Sequence, residues 1–583
     1  MDRKRKFGIL AILNGVVFMG LIGCQFDPAR HANPVEGDQP NLADQRNLID
    51  DVRFTQNKIN AGAVSFADLF FAGKHIFSNR FTTEDYFGEG AGGPRQSKYA
   101  INDRPGYPFL RFNGLDSQSC LECHLAIGFT SGDTREDHQF RFVKELGITG
   151  GGAGFASNAF NFTNFACKAG VSDCDPDKAT TGFVRNPPHA FGAGYTQQLA
   201  EEMTWALQEI RENAAKQNPG VPVALMAKGV SFGKIVVNAD GSIDTASSSI
   251  VGINEDLIVR PFQWKGLTSN LRNFITGAMN FHFSIQPTEL MTAGVLIDDQ
   301  DGEVNEIDVG EITAVATFLA FLRPPIESHK GLNPVRVNRG REVFGEADCA
   351  TCHRPTLEME SPFVIIRDPQ TDQALQGALK NELSFTLPST PPHKQGQPTL
   401  TVPHGTMAPV LEKYVIKKQA KAQLRQLTSS VEPEKLDIMV AEELKNKLKG
   451  FTRDLNDESG PPDTLPRLPA NSNGRVSVPL YSDLKRHVMG DNLAESFPQQ
   501  TDGGEDHQVP GNQFLTRPLW GVADTGPWMH DGRALTLTEA IVMHEGSGSE
   551  ANASVEKFKA LSNNDRLALR SFLSSLRLPL SKP

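Results

Sequence analysis

The chain has 583 residues, too many for one hydrophobic core, and this length suits two to four domains. Its content of 39% hydrophobic and 22% charged residues is ordinary for a globular protein and excludes a chain that is disordered throughout. The formal net charge is -11, whereas proteins that bind nucleic acids usually carry a basic excess. We therefore expect no nucleic acid among its partners.

The N-terminus has the pattern of a bacterial export signal. A basic tetrapeptide (RKRK) precedes an apolar run over residues 7–23, which is short for a membrane span. The run ends in LIGC at Cys24, which resembles the lipobox of bacterial lipoproteins; an uncleaved anchor is the alternative. We predict a lipoprotein signal peptide over 1–24, a tether over 25–60 and a periplasmic, extracytoplasmic location. Lipidated Cys24 would anchor the protein to the membrane, and we expect this to be the outer membrane.

Two C-x-x-C-H motifs, at residues 120–124 (CLECH) and 349–353 (CATCH), predict covalent attachment of two c-type haems. In such motifs the two thiols bind the porphyrin and the adjacent histidine is the proximal ligand of the iron. A zinc site would need a second Cys/His pair near each motif, and a thioredoxin-like site would need a βαβ pattern. Neither is present. The predicted haem-binding residues are Cys120, Cys123, His124, Cys349, Cys352 and His353.

Cys167 and Cys174 lie in a stretch rich in Asn, Gly, Ser and Asp. Since an exported protein is in an oxidising compartment, we interpret them as a disulfide.

The sequence contains an internal duplication. A Gly-x-x-x-Phe segment precedes each haem motif, at 73–77 and 340–344, and each half closes with a similar apolar helix that ends near residues 324 and 579. Asp308 with Glu311, and Ser562 with Asp565, have the spacing of N-cap pairs for these closing helices. The same closing helix in the second half is expected to bury a stripe at i, i+3, i+4 and i+7, formed by Leu569, Phe572, Leu573 and Leu576.

The duplication predicts a mainly α fold with two cytochrome c-type haem domains in tandem and long loops. Each domain would consist of a helix, a haem loop, an irregular middle and a closing helix. The first domain would span 61–325 and the second 337–583, because Pro324-Pro325 stops a helix before a polar linker. Residues about 365–475 are interpreted as a subdomain inserted into the second domain. Its charged segment, with helical character, could instead be a solvated charged helix.

Several longer motifs resemble those of the di-haem oxidoreductase family, a branch of the bacterial di-haem cytochrome c peroxidase superfamily. They are RFNG at 111–114, RNPPHAFGAG at 185–194, PFQWKG at 261–266, YSDLKRH at 481–487, FLTRPLWG at 514–521 and HDGR at 530–533, which leads to His544. In the peroxidases, peroxide reacts at the first haem and the second haem receives electrons from a donor.

This resemblance implies roles for two residues. Trp264 matches the tryptophan that lies between the haems of the peroxidases, where it would help an electron cross; a large core aromatic is the alternative. Glu289 matches their distal acid/base, which would move protons during O–O cleavage, and a surface or salt-bridged glutamate is the alternative. Phe274 occupies the place of a distal glutamine, and the spacing from Trp264 to Glu289 is longer than in the peroxidases, so both features depart from the peroxidase pattern.

The resemblance also suggests the sixth iron ligands. His544 falls on the position of the methionine ligand of the peroxidases, so we expect it to bind the second haem iron, with Met543 as the alternative. His189 and His282 are both candidates for the first haem, whose iron could equally be open or bound to water. An open site would suit a peroxidase, whereas two six-coordinate haems would suit electron transfer alone.

Residues 299–308 resemble a calcium loop at Asp299, Asp301, Asn305 and Asp308, although Ile297 occupies the first ligand position. An Asp/Gly turn and a helix N-cap explain the same residues. Calcium is therefore an open candidate as a cofactor beside the two haems.

Three functions are compatible with the sequence. The first is an oxidoreductase that reduces hydrogen peroxide at the first haem, with electrons delivered through the second by a small redox protein or a similar donor. The second is a non-catalytic electron carrier. The third is an oxygenase or cofactor-maturing oxidant, because relatives on this scaffold oxidise large substrates.

Overall fold

The computed structural model describes residues 55–79, 81, 85, 119–120, 124, 186–283, 285–292, 306–367, 409–427, 435–436, 439–440, 450–454, 468–472, 475–495 and 498–579. Within them helices outweigh strands, so the fold is mainly α. The predictions for the signal peptide and for Cys24, Cys123, Cys167, Cys174, Asp299, Asp301 and Asn305 lie outside the described residues. None of the described helices is both long and apolar enough to cross a bilayer.

The helices are α1 (Gln56–Asn60), α2 (Phe66–Ser78), α3 (Ala193–Gln217), α4 (Leu271–Ala278), α5 (Thr288–Thr292), α6 (Val309–Ala320), α7 (Pro334–Glu346), α8 (Pro409–Leu427), α9 (Leu537–Val542), α10 (Asn552–Ala560) and α11 (Asn563–Leu573). A π-helical turn, Met279–Phe283, follows α4.

The strands are β1 (Val223–Ala227), β2 (Val230–Ile235), β3 (Ser249–Ile250), β4 (Ile326–Glu327), β5 (Leu357–Met359), β6 (Phe363–Arg367), β7 (Gly450–Asp454), β8 (Val476–Val478), β9 (Arg486–Val488), β10 (Gln499–Thr501), β11 (Gly504–Val509), β12 (Gln513–Leu515) and β13 (Leu576–Arg577). They form one antiparallel three-stranded sheet, β1-β2-β3, and five two-stranded antiparallel pairs.

The same helix pair occurs in both halves of the chain: α2 packs against α6, and α7 packs against α11. The backbones approach closely at one glycine in each pair. A Cβ atom added to Gly73 would lie 2.0 Å from the carbonyl oxygen of Ala314, and one added to Gly340 would lie 2.0 Å from that of Ala568. Only glycine, which has no Cβ atom, permits this approach. The close contact therefore explains why the repeated Gly-x-x-x-Phe segment begins with glycine in both halves.

The phenylalanine of that segment also has the same role twice. The ring of Phe77 packs on Phe318 with centroids 5.5 Å apart, and Phe344 packs on Phe572 with centroids 5.4 Å apart. The repeat in the sequence is thus a repeat in the packing of an entry helix on a closing helix.

The closing helices begin where the sequence predicts. Asp308 and Glu311 form a capping box at the start of α6, and the Ser562 side chain accepts a hydrogen bond from the backbone N–H of Asp565 at the start of α11. Asp308, one of the proposed calcium ligands, therefore caps a helix. The predicted stripe on α11 is buried, but its last member, Leu576, lies beyond the helix in β13, which pairs with β4.

The middle of the first half is more regular than the sequence suggests. The interpretation as an irregular segment is wrong for residues 193–250, because they form the 25-residue helix α3 and the β1-β2-β3 sheet. Helix α3 lacks a clear apolar stripe because its buried residues include polar ones, among them Gln197 and Glu201. These two side chains satisfy each other through a hydrogen bond of 3.0 Å.

The segment inserted in the second half is attached to the body of the protein. Strands β6 and β7 pair at its base, and β5 pairs with β8 beside them. Helix α8 packs on α3: the hydroxyl of Tyr414 donates a hydrogen bond of 3.1 Å to Glu212, and Lys418 forms an ion pair with the same carboxylate. Tyr414 and Ala420 are buried. Helix α8 is therefore a docked element, in contrast to the alternative of a solvated charged helix.

The folded region begins before residue 61. Gln56 and Ile59 in α1 are buried, and the hydroxyl of Thr313 in α6 donates a hydrogen bond to the Gln56 side chain. The predicted tether over 25–60 is thus too long at its C-terminal end. All described residues belong to one unit that spans 54–583.

Ion pairs join the two halves within this unit. The buried guanidinium of Arg260 binds Asp256 at 2.5 Å and Asp502 at 2.6 Å. Asp502, from the second half, also accepts hydrogen bonds from the backbone N–H and hydroxyl of Ser269. The polar groups at this junction are paired, as buried charges require.

Candidate functional site

The two C-x-x-C-H motifs have the same backbone hydrogen bond between their first and last residues. The backbone N–H of His124 donates a 2.8 Å hydrogen bond to the carbonyl of Cys120, and that of His353 donates a 2.9 Å bond to the carbonyl of Cys349. This hydrogen bond holds the backbone of each histidine close to the backbone of the first cysteine of its motif. Burial raises the pKa of the Cys349 thiol to about 11.

In the second half, His353 and His544 form a facing pair. Their ring centroids are 6.4 Å apart. His353 Nδ1 donates a 3.1 Å hydrogen bond to the carbonyl of Tyr481, and His544 Nδ1 donates a 2.7 Å bond to the carbonyl of Ala540. With Nδ1 used in this way, Nε2 of each ring is the nitrogen that remains available to a metal.

This arrangement fits a haem iron between the two rings. A metal bound to both imidazoles would separate the centroids by about 6 Å, since each metal–nitrogen bond is about 2 Å and each nitrogen lies roughly 1 Å from its ring centre. Burial, reinforced by His544, lowers the pKa of His353 to about 4, and burial also lowers the pKa of His544. Both rings are therefore neutral at pH 7, the form that binds a metal.

Helix α9 carries His544 to this position. Thr536 and Glu539 form a capping box at its start. The alternative ligand, Met543, is the C-cap residue of α9, and its carbonyl accepts a 3.1 Å hydrogen bond from Asn492. His544 is the residue of this pair whose ring faces His353.

In the first half, His124 lies near both candidate sixth ligands. Burial, together with the proximity of His282, lowers the pKa of His124 to about 4. The carbonyl of Pro188 opposes this shift, although His124 Nδ1 makes no hydrogen bond of normal geometry. The ring of His124 packs on Phe77, with centroids 5.9 Å apart. This Phe77 is the residue that holds α2 against α6.

His189 is held by the second half of the chain. Its Nε2 donates a 2.9 Å hydrogen bond to the carbonyl of Trp520, and its enclosed Nδ1 has no hydrogen-bond partner among the described residues. Burial, with Arg517 and His124 nearby, lowers its pKa to about 4. An unpaired acceptor nitrogen close to His124 is suited to a metal. The structure thus brings both His189 and His282 towards His124.

Trp264 lies at the junction between the halves. Its indole N–H donates a 2.7 Å hydrogen bond to the carbonyl of Asn186, whose own N–H donates a 2.8 Å bond to the carbonyl of His530. The carbonyl of Trp264 accepts a 2.9 Å bond from the N–H of Leu515. The guanidinium of Arg517 lies over the indole, 5.5 Å from its centroid. The tryptophan is therefore bonded to both halves of the chain.

Glu289 forms an ion pair with Arg272. The guanidinium Nε lies 3.0 Å from Oε2 of Glu289, and a second guanidinium nitrogen contacts Oε1. The same guanidinium donates a 2.7 Å hydrogen bond to the carbonyl of Val309 at the start of α6. Glu289 is therefore the salt-bridged residue of the alternative interpretation. To act as an acid or base it would have to release at least one of these contacts.

A charged cluster that sequence reasoning did not single out lies beside the second haem motif. The His487 ring donates hydrogen bonds of 2.8 Å from Nε2 to Asp483 and of 2.7 Å from Nδ1 to Glu550. Its Nδ1 is also 3.9 Å from Sγ of Cys352. Burial disfavours its charge, but hydrogen bonds, first to Asp483, raise its pKa to about 11. Asp483 and His487 both lie in the sequence motif at 481–487, and their i, i+4 spacing could have indicated that the two side chains pair.

Cys352, Asp483 and His487 are close enough to hold a metal ion. A metal would require the Cys352 thiolate, whereas covalent haem attachment converts the same sulfur into a thioether. The two uses exclude each other.

Comparison with known proteins finds a family similarity within the second half of the chain. Residues 467–576 match the family model described as "Di-haem oxidoreductase, putative peroxidase". This range includes Trp520, His530 and His544, and it excludes both C-x-x-C-H motifs. No curated protein and no solved structure shows a significant match. Over residues 467–576, the chain is similar to the di-haem oxidoreductase family.

Proposed function

We propose that the protein is a c-type cytochrome with two haem domains, which reduces hydrogen peroxide at the first haem with electrons delivered through the second. The facing pair of His353 and His544 carries this proposal. Both rings are fixed through Nδ1 to backbone carbonyls, which favours a closed, six-coordinate second centre suited to electron transfer. Haem iron would supply the one-electron redox chemistry at each centre.

The first centre is different, which supports a division of labour. His282 and His189 both lie near His124, but His189 is already held by the carbonyl of Trp520. With two candidate histidines near His124, the sixth position of the first iron is less strictly assigned than that of the second, where His544 pairs with His353. Trp264, bonded to both halves, is our candidate for the route by which an electron crosses between the centres.

Peroxide reduction also requires protons. The reaction breaks the O–O bond and takes two electrons and two protons to give two water molecules; a redox protein or similar donor must supply the electrons. Glu289 is our candidate for moving a proton, and Arg272 would hold its carboxylate in place until then.

The first test concerns the cofactor. We expect two covalently bound haems per chain, because each half presents a C-x-x-C-H turn. A pyridine haemochrome assay on protein of known concentration measures this number, and acid–acetone extraction should leave both haems attached. The variant in which Cys349 and Cys352 are both serine should retain one. A single haem in the unaltered protein would contradict the proposal.

The second test concerns the reaction. Glu289→Gln should reduce the rate of peroxide turnover by about 10²-fold, the lower end of the usual contribution of a general acid/base, while both haem absorption bands stay unchanged. Arg272→Lys is the matched control, since it keeps a cation beside Glu289. If both variants lose activity equally, Glu289 acts through its ion pair alone. If the reduced unaltered protein shows no spectral response to peroxide, the proposed reaction is wrong.

One observation favours a second candidate, a non-catalytic electron carrier. The Glu289 carboxylate is occupied by Arg272, and two histidines stand near His124. Two low-spin haems in both redox states, with no peroxide response, would identify this function. An oxygenase or cofactor-maturing oxidant remains a third proposal, supported by the resemblance alone.

The cellular setting is proposed from the sequence. The basic and apolar N-terminus followed by Cys24 supports export, lipidation and attachment to the membrane. The electron donor would then be a periplasmic redox protein.

A further inference from the structure

Arg517 differs from the other enclosed arginines near the junction of the halves. Among the described residues, its guanidinium makes one hydrogen bond, a long one of 3.3 Å to the carbonyl of Gln263, and it contacts the face of Trp264. By contrast, Arg260 has two carboxylate partners and Arg272 has one. Arg211 forms two hydrogen bonds to the carbonyl of Gly241.

A guanidinium in this position is costly without an anion. Burial, with no carboxylate to offset it, lowers the pKa of Arg517 to about 10. Removal of a charge from water is compensated in proteins by a partner charge or by several hydrogen bonds. Arg517 has neither among the residues that the structure describes, so its surroundings are suited to an anion that those residues do not supply.

The side chain of Arg517 is also accessible to such an anion. It is closely surrounded by protein, and yet part of its surface remains open. His124 and His189 are likewise surrounded by protein and partly open.

Arg517 lies near the first centre. The charge of Arg517 acts on His189, and His189 in turn lies near His124 of the first C-x-x-C-H motif. Trp264, under the guanidinium, is the tryptophan that bonds to both halves. Arg517 comes from the second half of the chain, but its surroundings belong to the first.

We propose that Arg517 is a binding residue for a propionate carboxylate of the haem at the first centre. A haem carries two propionates, and a planar guanidinium can bind such a carboxylate through two parallel hydrogen bonds. The inference rests on the two haems proposed above. It makes the second half of the chain a contributor to the first haem site, and it puts a positive charge between that haem and Trp264.

The charge gives the proposal a measurable consequence. A cation beside the haem disfavours the ferric form, which has one more positive charge than the ferrous form. Arg517→Gln should therefore shift the ferrous/ferric equilibrium of one haem towards ferric by about tenfold, which is about 59 mV for a one-electron couple. The other haem should be unaffected.

The experiment is a spectroelectrochemical titration of the complete holoprotein, combined with resonance Raman spectra of the propionate bending bands. Arg211→Gln is the matched control, because it also removes a buried guanidinium with a lowered pKa but one that binds Gly241 instead. We expect a lower midpoint potential and shifted propionate bands for one haem in Arg517→Gln, and neither change in the control.

The possible failures are distinguishable. If both haems are present and Arg517→Gln behaves like the control, this inference is wrong while the proposed function stands. If the potential of the unaltered protein follows the concentration of added phosphate, Arg517 binds a free anion and the propionate assignment is overturned. If Arg517→Gln does not retain two haems, the propionate bands are measured in Arg517→Lys instead. Its compact ammonium lacks the planar fork, so unchanged propionate bands in that variant would contradict the proposal.

Discussion

Gly340→Ala is expected to destabilise the second half of the protein by about 3 kcal/mol, the upper part of the range for overpacking. The added Cβ would lie 2.0 Å from the carbonyl oxygen of Ala568 and 2.7 Å from Cβ of Phe572. The first is a backbone atom inside α11, so it cannot move aside without moving the helix. Relief requires α7 and α11 to separate, which would also open the contact between Phe344 and Phe572.

Gly345→Ala in the same helix provides the control. No atom of the described part of the chain lies within 4 Å of a Cβ atom added at Gly345, so this substitution should be neutral or stabilising by up to about 1 kcal/mol, the difference in helix propensity. Urea unfolding of the holoprotein, followed by the absorbance of the second haem, measures both variants. Equal midpoints for Gly340→Ala and the unaltered protein would show that the close helix contact does not exist in solution.

The recurrence of this contact shows what the sequence could predict. A Gly-x-x-x-Phe segment before each haem motif carries its own physical explanation, since glycine permits the approach and phenylalanine fills the interface. The helix caps at Asp308 and Ser562 could also be predicted, because a capping side chain acts on residues two or three positions away. Helix caps and internal repeats can both be recognised from the amino-acid sequence alone.

Helix α3 and the docking of helix α8, which the sequence did not predict, depend on distant contacts. Helix α3 buries polar side chains that pair with one another, such as Gln197 with Glu201, so its pattern shows no apolar stripe. Helix α8 has a charged sequence because its lysines bind acidic residues of the body, Lys418 to Glu212 among them. Pairing of this kind produces no hydrophobic periodicity in the sequence.

The candidate site also contains residues that the sequence could predict and residues that it could not. The C-x-x-C-H motifs and His544 could be identified from motif spacing and resemblance, and the structure brings His544 to His353. The cluster around His487 and the isolated charge of Arg517 could not, since both are defined by what lies around them in three dimensions. For Glu289 the sequence allowed an acid/base or a salt bridge, and only the structure revealed the contact with Arg272.

His544→Ala is expected to change the second haem alone, from low spin to high spin. The ring of His544 faces His353 at 6.4 Å between centroids, and its Nδ1 is held by the carbonyl of Ala540. Removal of the ring would leave the second haem iron without its proposed sixth ligand, and alanine has no atom that could replace it. Electron paramagnetic resonance of the oxidised holoprotein should show one new high-spin signal for one haem per chain, and added imidazole should reverse the change.

Two companion variants separate the possible ligands. Met543→Leu should leave both haem spectra unchanged, because the structure directs His544 towards His353. His544→Met should keep the second haem low-spin and raise its midpoint potential, since a methionine ligand favours the ferrous form more than histidine does. The opposite pattern, an unchanged spectrum in His544→Ala with an altered one in Met543→Leu, would assign the ligand to Met543. It would also remove the closed second centre, and with it the main support for dividing reaction and electron supply between the two haems.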